Sequence, residues 1–132
     1  MNTQKKKFVL VITILLGIIS CFTIYFTHQF FQKDVNVKCN YMGYACGDCT
    51  PQYFVFEISP VSLEKKLIKK DIDIEFLEKT LQEKFEKELG ICRICYIYEF
   101  YGDIYYSIKK KCYVIKVKKY NLKIKDKNCC DN

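Results

Sequence analysis

Apolar positions along this chain change their spacing three times, and each change marks an element. From Phe8 to Phe26 the residues carry no charge and are broken only by Gly17 and small hydroxyls; the apolar character then continues to Phe30 and Phe31. A helix rises about 1.5 Å per residue, so a run of this length covers the roughly 30 Å hydrocarbon core of a bilayer. Lys5, Lys6 and Lys7 precede the run, while Tyr25, Phe26, Phe30 and Phe31 stand where aromatic anchors collect. Residues 1–7 therefore read as a basic N-terminus kept inside. Residues 8–31 read as a transmembrane anchor or signal segment, and residues 32–132 as an extracytoplasmic domain.

The period shortens to two over Tyr53-Phe-Val-Phe-Glu-Ile58, whose β-branched and aromatic content predicts a strand ending at Ser59-Pro60. Ser59 and Pro60 suit the N-cap and first residue of a helical turn or two through Lys70. From about Asp73 to Leu89 the period lengthens: Ile74, Leu77, Leu81, Phe85 and Leu89 recur at three- and four-residue spacing, which predicts the main amphipathic helix. Asp71, Asp73 and Glu75 suit its positive end, Glu83 and Lys87 an i,i+4 pair, and Gly90 the left-handed position after its last residue.

Strand character returns in Cys92–Phe100 and Ile104–Lys118, separated by Tyr101-Gly102-Asp103, and predicts an antiparallel hairpin. A turn centred on Gly102-Asp103 sets Cys112 opposite Arg93 and diagonal to Cys95 on one sheet face, which makes Cys95 and Cys112 a candidate pair. Leu122 and Ile124 have the opposite parity to Ile115 and Val117, so a bulge or turn is required near Lys119-Tyr120-Asn121. The expected fold is α+β: an N-terminal transmembrane helix followed by a small cysteine-rich domain with an antiparallel sheet and one main amphipathic helix. Because strands outnumber the one secure helix, the alternative is a small barrel of the oligonucleotide/oligosaccharide-binding (OB) type with an inserted helix.

Charge changes this picture little. The domain holds all fifteen acidic residues and every one of the 22 Lys and Arg except Lys5–Lys7, which leaves it only mildly basic. Cysteine changes it most. Setting Cys21 aside, the domain carries Cys39, Cys46, Cys49, Cys92, Cys95, Cys112, Cys129 and Cys130, an even number that suits a disulfide framework in an oxidising compartment. Adjacent Cys129 and Cys130 need separate partners, which would tie the C-terminus back to the domain.

Three other cysteine chemistries fit parts of the pattern. Cys46-Gly-Asp-Cys49 with Cys92-Arg-Ile-Cys95 can supply four thiolates to a zinc ion, although the 42 residues between them exceed a short zinc-ribbon loop. Cys46-Gly-Asp-Cys49 alone is similar to the thioredoxin motif, which implies a redox pair with Cys46 as nucleophile and Cys49 as resolving thiol. Ile18-Ile19-Ser20-Cys21 resembles a lipobox, the alternative in which Cys21 is the lipidated residue of a lipoprotein.

The one histidine, His28, lies at the edge of the apolar segment, which excludes a Ser/His/Asp arrangement; no catalytic residue is assigned. Nine lysines crowd residues 109–127 with one acid, Asp126, and read as a lysine-lined edge strand that resists aggregation, or as a face for an anionic surface. Arg93 is the only arginine, and with export this argues against nucleic acid. The function expected is that of a membrane-anchored, disulfide-stabilised binding or envelope-assembly module.

Overall fold

A computed structural model describes residues 2–43, 52–125 and 128–129, the side chains of residues 26–30 excepted. The chain divides into two units, Met1–Phe31 and Gln32–Asn132. The first is helix α1 (Thr3–Phe30). Its apolar stretch Thr3–Tyr25 has 23 residues, about 34 Å of helix, enough to span a membrane or act as a signal anchor. Thr13 and Thr23 donate their hydroxyls to the carbonyls of Val9 and Ile19 at 2.9 and 2.8 Å, so these polar groups are satisfied within the helix itself.

The second unit is a five-stranded barrel. Its strands are β1 (Phe31–Tyr41), β2 (Tyr53–Ser59), β3 (Asp71–Phe76), β4 (Tyr96–Ser107) and β5 (Cys112–Ile124), closed in the order β1-β2-β3-β5-β4. All described pairings are antiparallel except β3 with β5, which is parallel. A 3-10 turn (Val61–Leu63) and the short helix α2 (Glu64–Leu67) link β2 to β3, and helix α3 (Lys79–Leu89) links β3 towards β4. Alternation fills the barrel: Val35, Val37 and Cys39 from β1, Tyr53 and Val55 from β2, Tyr98 and Phe100 from β4, Ile115 and Val117 from β5 all point into one core. Phe85 and Leu89 of α3 join that core.

Four expectations change. Asp71–Phe76 is a strand, not the start of the main helix: Ile72, Ile74 and Phe76 alternate with three carboxylates, and pairing with β5 rewards that period over the helical one. The helix is confined to Lys79–Leu89, where Leu81, Phe85 and Leu89 face inward and Gly90 follows at φ 56°. Its outer ion pairs are Lys79–Glu83 and Lys84–Glu88 rather than Glu83–Lys87. Phe31–Tyr41, a segment in which the hydrophobic pattern predicts no strand, forms β1.

The hairpin differs most. Its turn is Ile108–Lys111, with Lys111 at φ 54°, and Ser107 faces Cys112. Gly102 lies in mid-strand at a bulge, where the register shifts between Tyr101 and Gly102 and leaves Lys118 as the extra residue on β5. A Cβ on Gly102 would stand 1.9 Å from the Lys116 carbonyl oxygen, so only glycine permits this close approach. Gly102→Ala is expected to destabilise the barrel by at least about 1–3 kcal/mol, the range for overpacking, because the obstacle is backbone and cannot rotate away. Urea titration of the variant in micelles measures it.

The bulge also places Lys118 in a network that holds the start of β1. Lys118 Nζ lies 2.8 Å from Asp103 Oδ1 and 3.3 Å from Asp34 Oδ1. Tyr101 donates its hydroxyl to Asp34 at 3.1 Å, and the Asp34 N–H donates to Asp103 at 3.1 Å. Asp34 sits at φ 54°, a left-handed conformation that Asp tolerates better than most residues. Burial pushes the Asp103 carboxyl up, but the bonds from Lys118 and the Asp34 N–H outweigh it and hold the group below its ordinary 3.8. The Asp103 bond holds Lys118 above its ordinary 10.5. A lowered carboxyl contributes stability that is complete above its unfolded value and is lost as pH falls through the folded value. A raised lysine contributes stability that is complete below its unfolded value and is lost as pH rises through the folded one. The network is therefore complete at neutral pH. Lys118→Met is expected to raise the Asp103 titration midpoint, read by carboxyl carbon NMR, and to shrink the acid limb of the stability profile.

Candidate binding cleft

Among the described residues Asp73 is the one charged side chain that is buried, 7% exposed. It lies on the outer face of β3, where its backbone pairs with Val114. Lys110, from the turn between β4 and β5, reaches back to it with Nζ 2.6 Å from Oδ2, and this bond holds the lysine above its ordinary value. The pair ties the β4–β5 turn to β3. Beside it, Glu75 accepts the Tyr105 hydroxyl at 2.8 Å, and Lys116 Nζ stands 5.6 Å from the centre of the Tyr105 ring. Burial, then the bond to Glu75, pushes the Tyr105 phenol up to about 12.

Asp73 and Glu75 border a cleft of about 420 Å³ that is also lined by Gln52, Gln82, Glu86 and Arg93. Strand pairing explains the opening. Among the described residues β2 pairs with β3 at Tyr53–Ile72 and Phe54–Asp71, and Gln52, just before β2, accepts the Met42 N–H at 2.8 Å across from β1. β3 runs on to Phe76. Leu77 donates to the Val117 carbonyl, so in the parallel ladder residues 73, 75 and 77 give their backbone groups to β5. Ile74 and Phe76 aim theirs at the cleft and have no strand partner there among the described residues. On the far wall Arg93 pairs with Glu86 of α3, and the Tyr98 hydroxyl donates to the Arg93 carbonyl at 2.6 Å.

The expected cysteine framework is met in part. Cys95 bonds to Cys129, so the C-terminal segment is tied to the domain, and Cys92 is also disulfide-bonded. The Cys95–Cys112 pairing is overturned, because the true register sets Cys112 opposite Ser107. Cys112 is a buried free thiol whose value burial and the Asp73 charge push up; Cys39 is likewise free, held up by burial inside the barrel. Neither is available for a bridge without opening the fold. Cys46, Cys49 and Cys130 lie outside the described residues, so the redox pair does too. The zinc alternative loses two of its four thiolates, since Cys92 and Cys95 are in disulfides, and no group of metal-binding residues forms among the described residues. Cys21 is an exposed free thiol on α1.

The lysine run divides by place. Lys110 and Lys118 are ion-paired to acids, Lys116 lies where β5 is flanked by β3 and β4, and Lys119 and Lys123 lie where β5 pairs with β4 alone. The single lysine-lined edge expected there does not form over residues 113–117. No signal in the sequence singles out Asp73, Lys110 and Glu75: two carboxylates read as helix-terminal charges, and Lys110 reads as one lysine of three. No family model, curated protein or solved structure matches this chain, so its function has to be read from the cleft itself.

Proposed function

We propose that this protein is a membrane-tethered binding module whose barrel, of the OB type, presents the cleft beside β3 on the extracytoplasmic side. The cleft around Asp73 carries this reading. A five-stranded barrel with a helix between its third and fourth strands matches the OB arrangement, in which ligands are taken at the face of strands 2 and 3 between the 1–2 and 4–5 loops. Here β3 and the 4–5 turn hold the Asp73–Lys110 pair, and beside β3 lies a polar opening within the size range of small-ligand sites. Fold alone names no ligand. The Cys95–Cys129 disulfide supports export, since such bonds persist in oxidising compartments, and Lys5–Lys7 before α1 support an internal N-terminus.

Location is the step to test. Ile91 is 99% exposed and touches no part of the core, whereas Cys39 and Cys112 are buried. A full-length Ile91→Cys variant is expected to react with a membrane-impermeant maleimide in intact cells more than the parent protein does. Labelling that requires permeabilisation would place the domain inside and overturn the reading.

A further inference from the structure

The open edge of β3 has two properties that identify an occupant. Its backbone groups at Ile74 and Phe76 point into the cleft along the line that β2 would have continued, and an extended chain laid there can hydrogen-bond to them as a strand. Among the described residues its borders carry excess negative charge: Asp73, Glu75 and Glu86 against Arg93, with Lys110 already committed to Asp73 and Arg93 to Glu86. Glu75 has no ion-pair partner among the described residues and accepts only the Tyr105 hydroxyl. Among the described residues the aromatic rings of the cleft offer no stacking platform for a sugar, because Tyr53 is buried in the core and Phe76 packs on Phe85 at 4.9 Å. An anionic polymer would meet the carboxylates.

We propose that Ile74–Phe76 takes an extended cationic segment of a partner polypeptide as an added strand, with a Lys or Arg of the guest meeting Glu75. This deepens the binding-module reading and rests on it. Main-chain bonds to β3 supply affinity and the alternating guest side chains supply selection, basic on the Glu75 side. Among the described residues no strand pairs with this stretch of β3 on its cleft side, and an unpaired edge is a template for an added strand.

The test uses the full chain in lipid nanodiscs and the capped heptapeptide Val-Lys-Val-Lys-Val-Lys-Val as probe. Amide exchange at Ile74 and Phe76 is expected to slow at least tenfold on binding. The glutamate counterpart, and the same peptide with every backbone nitrogen methylated, are expected to bind at least tenfold more weakly. Glu75→Lys is expected to cut affinity for the lysine peptide at least tenfold. Gln82→Arg, at an exposed position of α3 on the cleft rim, should do so as well, which guards against misfolding of the strand variant. Binding that ignores backbone methylation, protection confined to other strands, or no binding of the lysine peptide each overturns strand addition. A tetramer of N-acetylglucosamine that slows the same amides while the peptides do not overturns it too, yet leaves the binding-module reading standing. The maleimide result tests location independently of all of these.

Discussion

Phe85→Ala is expected to cost about 3–5 kcal/mol, the range for truncating a fully buried Phe, and on that scale it would remove much of the stability of a domain this size. Phe85 is 0% exposed and is the meeting point of the molecule's aromatic core. Its ring centre lies 4.9 Å from Phe76, 5.0 Å from Tyr120, 5.8 Å from Phe100 and 6.0 Å from Tyr98, so it joins α3 to β3, β4 and β5 at once. Edge-on and tilted contacts of this kind add to simple burial. The four neighbours belong to strands and cannot all close on the void, so the cavity term stays large. Chemical denaturation of the variant in micelles tests this; a loss under about 1 kcal/mol would mean that α3 is an accessory to the barrel. Phe76, which borders the cleft, rests on the same ring. The variant is accordingly expected to loosen the cleft wall in the folded fraction, seen as faster exchange at the Leu77 amide, which donates to the Val117 carbonyl.

The parts of this fold that could be foreseen share one property: a single local period with nothing competing. The apolar run of α1, the β-branched stretch Tyr53–Ile58 and the Leu81, Phe85, Leu89 face of α3 are all of that kind. Asp71–Phe76 is ambiguous by the same test. Ile74 fits both the helical series that continues to Leu77 and Leu81 and the alternation with Ile72 and Phe76, and only the remote partner β5 decides between them. Gly102-Asp103 has turn composition, yet the glycine is there because the Lys116 carbonyl comes within 1.9 Å of where a Cβ would be, a fact about a strand fourteen residues away. A turn at Gly102-Asp103 would shift every facing pair and imply a Cys95–Cys112 bridge that the register, with Ser107 opposite Cys112, forbids. The cleft was the least legible of all. It arises where β3 runs beyond its described pairing with β2, and its buried charge is matched by Lys110 across 37 residues.

Removing the Cys95–Cys129 disulfide is expected to lower stability by about 3–4 kcal/mol, given the loop-closure entropy it withholds from the unfolded chain. The bond closes 34 residues, between the short and long loops for which the effect is about 3 and 4.7 kcal/mol. The double variant Cys95→Ser with Cys129→Ser isolates this effect, because it leaves no new thiol to exchange with Cys92. Comparing its denaturation midpoint with that of the parent chain at unchanged slope gives the value; a loss under about 1 kcal/mol would show that the tail is no staple. Cys95 is buried at the end of the same short turn that carries Arg93, so loosening of the cleft could be expected as well. The geometry argues otherwise. Arg93 is held by Glu86 through its guanidinium and by Tyr98 through its carbonyl, while Lys125 donates its N–H to the Cys95 carbonyl at 2.8 Å and keeps the end of β5 in place. None of these bonds passes through sulfur. The disulfide-free protein should therefore unfold more readily, yet slow exchange at Ile74 and Phe76 as the parent does when the lysine peptide binds, which separates what stabilises this barrel from what shapes its cleft.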